Sequence, residues 1–223
     1  MSRDPHGVPF WSAAEIQASL AGTLEHLAAH GVLAYPTETV YGFGGAIDTE
    51  SVARLVAIKL RPARKPFLLL ISGGEMIDRL DLQLSREASL LAARFWPGPL
   101  TLVLPGGERR VPARLRGPEG GVAVRWTSHP GLQRLISAMG DPLTSTSANR
   151  PGLPPAMGAA AVLEHWPADI AAGRLRLLDG GSLQPSAAST VVDCTTRYPR
   201  VIRPGAITAA ALRESVPALI GDR

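Results

Sequence analysis

The sequence predicts an α/β layered domain, and three observations predict it. Short apolar runs at residues 32–35, 67–71, 100–104 and 122–126 read as buried strands. Between them lie stretches with apolar residues at helical spacing, such as Ile16, Leu20, Leu24 and Leu27. The two patterns alternate along most of the chain, which is the signature of helices packed on a sheet. Hydrophobic residues make up 45% and charged residues 19%, a balance that supports a packed core rather than disorder. Neither an internal repeat nor a dividing linker appears, so residues 1–223 are read as one domain.

Residues 1–11 read as an irregular arm. Ser12 with Glu15 forms a capping box for the first helix, which ends near Gly31. Val32–Tyr35 is a strand, and Pro36, which has no N–H, ends its ladder. The polar, Gly-rich stretch Thr37–Gly45 follows and reads as a loop. Thr49 or Ser51 is expected to cap a helix over residues 52–60, whose apolar face carries Lys59 to its C-terminal end. Residues 67–71 form a strand, Ser85 caps a helix to Phe95, and Leu100–Leu104 is another strand. Residues 108–120 read as a long loop rich in Arg, Gly and Pro. Val122–Trp126 is a strand carrying Arg125, and His129–Pro130 opens a helix to Met139. His129 is expected to cap or pack, because no acidic residue or second histidine stands near it in sequence. Residues 143–147 form a strand feeding the Asn149 loop, and the proline-rich stretch 150–155 reads as a bend or lid. A short helix at 159–165, strands at 175–178, 190–192 and 201–203, and a closing helix at 208–220 broken or bent at Pro217 complete the chain.

Composition narrows the function classes. No apolar run is long enough to cross a bilayer, and the first residues lack the apolar core of a signal peptide, so a cytoplasmic protein without membrane contact is expected. The lone Cys194 excludes an internal disulfide, and no His/Cys cluster has zinc spacing. The net charge of +4 admits anionic partners.

Three stretches carry candidate chemistry. The strand running into Thr37, Glu38, Thr39 and Tyr41 places hydroxyls and a carboxylate where open α/β folds hold ligands, although a plain strand end and turn would read the same. Residues 59–66 pack Lys59, Arg61, Arg64 and Lys65 ahead of Pro66, as an anion site would; a solvated basic loop has the same pattern. Ser145, Ser147 and Asn149 offer hydroxyls and an amide at a strand end, as an ordinary turn also does.

Together they form an ordered set: PTETVYG at 36–42, K-x-R-P-x-x-K-P at 59–66, FWPGPLT at 95–101, VAVR at 122–125, STSAN at 145–149, STVVD at 189–193 and RPG at 203–205. This set resembles the YrdC-like family of threonylcarbamoyl-adenylate synthases, in the short form without a further C-terminal domain. The resemblance implies a twisted mixed sheet flanked by helices around a deep concave cavity. It implies that L-threonine, bicarbonate and ATP, with Mg2+ on the phosphates, yield threonylcarbamoyl-AMP and pyrophosphate. The adenylate would then pass to a downstream threonylcarbamoyl transferase complex that modifies tRNA. By motif match, Lys59 and Arg61 are the phosphate-binding and catalytic cations. Thr37, Arg125 and Ser189 bind threonine, while Ser145, Ser147, Asn149 and Arg203 meet the nucleotide. Ala188 and Leu70 stand where many relatives carry other residues. The resemblance also admits a module that binds tRNA or double-stranded RNA without catalysis, although aromatic residues are only 5% and no RNA-binding signature appears.

The chemistry itself demands these residue types. A carbamate and a triphosphate repel each other, so cations must hold them together. Guanidinium grips oxygens in pairs, whereas ammonium acts as a point charge. Glu38, the one carboxylate of the first motif, is expected to pair with Lys59 or Arg61 rather than to move a proton.

Overall fold

The computed structural model describes residues 7–60 and 66–221. The expectations for Arg61, Arg64 and Lys65 lie outside the described residues. Numbered in chain order, the strands are β1 (Val8–Pro9), β2 (Val32–Tyr35), β3 (Gly42–Gly44), β4 (Leu68–Ile71), β5 (Leu100–Leu104), β6 (Val122–Trp126), β7 (Leu143–Ser147), β8 (Leu175–Asp179), β9 (Thr190–Asp193) and β10 (Arg200–Arg203). They form one mixed sheet in the order β1-β8-β2-β3-β7-β4-β6-β5-β9-β10. Four neighbouring pairs are parallel (β1 with β8, β2 with β8, β4 with β6, β5 with β9) and the other five are antiparallel. The helices are α1 (Ala13–Ala28), α2 (Thr49–Lys59), α3 (Glu75–Arg79), α4 (Arg86–Phe95), α5 (Pro130–Met139), α6 (Ala159–His165), α7 (Pro167–Ala171) and α8 (Ala209–Ser215). None of the described helices is long and apolar enough to cross a membrane.

The period of two along each strand divides the sheet into a packed face and a cavity face. On β5, Leu100, Leu102 and Leu104 are fully buried in the core, while Thr101 turns the other way. On β6, Val122 and Val124 join that core, while Ala123 and Arg125 point into the cavity. Phe10, Tyr35, Tyr41, Phe43 and Phe67 supply the largest buried side chains.

Several expectations need correction. Part of the arm is regular: β1 runs parallel to β8, and the Phe10 N–H donates to Asp179 O at 2.8 Å. Phe10 is buried against the His129 ring, stacked at 5.9 Å, and this contact anchors the arm. Helix α2 is capped by Asp48 rather than by Thr49 or Ser51. Asp48 Oδ1 accepts from the N–H groups of Glu50 and Ser51, both at 3.0 Å. An anionic oxygen satisfies two orphan donors and meets the positive end of the helix dipole, an advantage over a hydroxyl. The stretch read as a loop to Gly45 contains β3, hidden from sequence reading by its glycines. The closing helix stops at Ser215: Val216 takes φ −134° and ψ 86°, as the ring of Pro217 requires of its predecessor. Ile220 then bridges back to Arg200 instead of continuing a helix. The 108–120 loop is packed down by buried Val111 and Leu115, and Arg116 pairs with Glu108 at 2.7 Å. Residues 150–155 form an ordered bend, with Leu153 N–H donating to Arg150 O at 3.0 Å.

Strand β3 is squeezed between β2 and β7, and Gly44 is the reason it fits. A Cβ there would stand 1.7 Å from Thr144 O and 2.7 Å from the Tyr35 hydroxyl. The obstacle is backbone, which cannot swing aside. Gly44→Ala is expected to cost about 1–3 kcal/mol or more, the range for overpacked cores. A lowered denaturant midpoint at unchanged slope is the measurement that checks it.

Candidate active site

Strands β3, β7, β4, β6, β5, β9 and β10 are consecutive in the sheet, and their shared face lines a cavity of about 230 Å³. Thr37, Thr39, Leu68, Thr101, Arg125, Ser145, Ser147, Ala188, Ser189, Val191 and Arg203 are among its walls. The lining combines hydroxyls and two guanidiniums with a few apolar side chains. Such a surface fits a small, polar, anionic ligand. The enclosed volume is below the ~300–1,000 Å³ of typical small-molecule pockets, so a larger ligand must extend along the rim.

Arg125 is 4% exposed and needs an anion close by. Its Nε stands 3.6 Å from Glu38 Oε1, and its Nη1 lies 3.4 Å from Thr39 Oγ1. Glu38 in turn accepts from the Thr127 hydroxyl at 2.7 Å. Glu38 thus pairs with Arg125, not with Lys59 as expected. The reason is topology: the loop after β2 crosses the end of β6, while Lys59 reaches the loop after β7.

Arg203 reaches the cavity from the edge strand β10. It donates to Ser189 O from Nε at 3.2 Å and from Nη2 at 2.7 Å, and to Ser189 Oγ at 2.9 Å. Ser189 Oγ also lies 2.9 Å from Thr101 Oγ1. Burial holds the Arg203 guanidinium below its usual pKa, and the charge of Arg125 adds to the effect. Two cations facing one another across a partly buried space mark a place built for an anion.

Thr37 is buried in the same wall. Its hydroxyl donates to Val40 O at 2.7 Å and accepts from the N–H groups of Thr39 and Val40 at 3.1 and 3.2 Å. These bonds saturate the oxygen and fix the loop that carries Thr39 and Glu38. Lys59, 7% exposed at the end of α2, donates to the backbone and side-chain oxygens of Asn149. Asn149 Oδ1 also accepts from Ser147 Oγ at 2.6 Å, and its Nδ2 donates to Leu153 O at 2.6 Å. Lys59, Ser147 and Asn149 therefore form a cationic rim at the mouth of the cavity.

A family model for Sua5_yciO_yrdC, described as "Telomere recombination", matches residues 25–205. The chain belongs to the Sua5/YciO/YrdC family. A curated relative from Pyrococcus abyssi (strain GE5 / Orsay), named threonylcarbamoyl-AMP synthase, is 38% identical over 192 residues, covering 86% of this chain and 54% of the relative. This chain thus spans about half the length of that relative. Another of the same name, from Chromohalobacter salexigens, is 39% identical over 178 residues, covering 78% of this chain and 91% of the relative. A crystal structure of P. abyssi Sua5 complexed with L-threonine superposes with a TM-score of 0.84 at 32% identity, covering 96% of this chain and 62% of that one. The mixed α/β sheet implied by the motif set is the family's fold.

Of the residues that the family motifs single out, Thr37, Arg125, Ser145, Ser147, Ser189 and Arg203 line one cavity, and Lys59 and Asn149 meet at its rim. Arg61 lies outside the described residues. Thr39, named among the candidate hydroxyls but given no role, is a wall residue, and so are Thr101 and Thr146, which sequence reasoning did not single out. A signal existed for Thr101, a hydroxyl inside the apolar run LTLVL. His129 caps α5 through its ring nitrogen, which accepts from Leu132 N–H at 3.3 Å, as expected of a capping residue.

Proposed function

We propose that this chain is a threonylcarbamoyl-AMP synthase that joins L-threonine, bicarbonate and ATP with release of pyrophosphate. The observation that carries the reading is the buried Arg125 guanidinium, aimed with Arg203 into a hydroxyl-lined cavity of amino-acid size. The names of the Pyrococcus and Chromohalobacter relatives, and the threonine held by P. abyssi Sua5, support it.

In this reading Arg125 takes the threonine carboxylate through its terminal nitrogens. The threonine amine forms an N–C bond to the bicarbonate carbon with loss of water to give a carbamate, whose oxygen attacks the α-phosphorus of ATP; the α–β bridge breaks and pyrophosphate leaves. Lys59 holds the phosphates beside Ser147 and Asn149, Arg61 shares that role by motif match alone, and Arg203 offsets charge where carbamate and α-phosphate meet. Ser145 and Ser189 supply hydrogen bonds. Fixed dipoles and charges supply most of the rate by placing two anions in line, with no covalent enzyme intermediate. A Mg2+ would be carried in on the triphosphate, whose oxygens supply most of its ligands, and would offset phosphate charge there. The adenylate would then pass to a transferase acting on tRNA, with the reaction taking place in the cytoplasm.

Pyrophosphate release with ATP, bicarbonate and each amino acid in turn tests the proposal. Turnover is expected only with threonine and bicarbonate together. Serine, one methyl smaller, is expected to fall behind by roughly 10–200-fold in kcat/KM, the range for one methyl in an apolar contact. ADP as product, or equal turnover without an amino acid, would sink the reading.

A further inference from the structure

We propose that Glu38 is a positioning residue that aims Arg125 at the substrate carboxylate and takes no proton itself; this rests on reading the cavity as the threonine site. Glu38 is fixed from one side only. Thr127 donates to its Oε2 at 2.7 Å, and Thr127 is tied to the first turn of α5 through His129 N–H at 3.2 Å and Gln133 Nε2 at 2.8 Å. The other oxygen, Oε1, faces Arg125 Nε at 3.6 Å. Both of these atoms are enclosed, and neither has a hydrogen-bond partner.

Two consequences follow from that placement. With Glu38 beside Nε and Thr39 near Nη1, the end of the guanidinium is what remains to meet a ligand. A carboxylate arriving end-on can take two parallel hydrogen bonds from it. The gap of 3.6 Å is also longer than a charge-assisted hydrogen bond, so Glu38 tethers Arg125 by charge and leaves it room to shift when substrate arrives. Glu38 keeps the buried cation neutralised while the cavity is empty. Its enclosed Oε1 does not line the cavity, so it acts on substrate through Arg125.

The test compares Glu38→Gln, which keeps shape and an acceptor oxygen, with Glu38→Met, which keeps bulk alone, and with Thr127→Val. In Glu38→Met the KM for threonine should rise roughly tenfold or more while the KM for ATP stays within about twofold, as loss of one oriented charged contact predicts. Glu38→Gln, which keeps the acceptor oxygen but not the charge, should recover little of that loss, Thr127→Val should lose less than either, and the pH profile of kcat should keep its shape in all three. Should both Glu38 variants lose kcat alike together with the acidic limb of the profile, Glu38 is a proton acceptor and the proposal fails. It fails too if they lower the melting temperature and leave threonine KM untouched. A parent protein that binds no threonine would overturn the functional reading rather than this one. Proton exchange at the Arg125 Nε–H, followed by NMR without ligand, then decides. Slow exchange in the parent, but faster exchange in both Glu38 variants, supports the tether, and unchanged exchange in both refutes it.

Discussion

Arg125→Lys is expected to weaken threonine binding about ten- to a hundredfold while ATP affinity stays nearly intact. Lysine keeps the charge but loses the planar fork, and a lost charge-assisted hydrogen bond costs about 1.5–3 kcal/mol. Stability should change little. Arg125→Ala is a harsher case, because it strands Glu38, whose side chain is only 14% exposed. Breaking a buried pair from one side typically costs about 3–5 kcal/mol, so that variant should lose stability as well as threonine. Removing both partners, in an Arg125→Ala, Glu38→Ala double variant, should restore part of the stability and none of the affinity. Calorimetric titration of threonine into an ATP-analogue complex, beside denaturant melts, checks all three. Threonine binding in Arg125→Lys equal to that of the parent would take Arg125 out of the site and leave it as a purely structural ion pair.

Lys59→Ala carries the second large effect. The ammonium is buried at the rim and held by Asn149, so it is pre-aimed rather than waving in solvent. Its loss should raise the KM for ATP about ten- to a hundredfold, again from about 1.5–3 kcal/mol of charged contact, and leave threonine binding by calorimetry close to normal. Arg54 provides the control. It sits on the same helix, exposed and paired with Glu50 at 2.6 Å, and its substitution by alanine should leave ATP use unchanged. Equal effects from the two variants would mean that the face acts only as a general basic surface.

How much of this was legible in the sequence depends on the distance over which each interaction acts. The Ser12–Glu15 capping box spans three residues and was read correctly, as were the apolar strands and the Ser85 cap. Asp48 was passed over because hydroxyls two positions apart offered competing caps, and only backbone geometry decides among them. Strand β3 was invisible because its glycines have no side-chain pattern, although their absence of Cβ is what lets β7 approach. In the site, the ordered motifs picked out residues that do converge on one cavity. Glu38 was expected to pair with Lys59 or Arg61; Arg61 lies outside the described residues, and the loop after β2 carries Glu38 to Arg125 on β6, a strand separated from β2 by three others in the sheet, which no local pattern reveals. Thr101 was missed because a hydroxyl in a strand is ordinary until its face is known.

The cavity's walls also carry a consequence for how the chain matures. Its closing contacts join Lys59 to Asn149, Arg125 to Thr39, Thr127 to Glu38 and Thr101 to Ser189, at separations of 90, 86, 89 and 88 residues. Each is a loop that must close before its contact gives anything back, and such non-local pairings slow folding. The last wall in sequence, Arg203 on β10, is made after every other wall of the cavity. No partly synthesised or half-folded intermediate can therefore present both guanidiniums together. A ligand that bridges them binds the finished fold alone, stabilises it by mass action, and so counts the molecules that have completed folding.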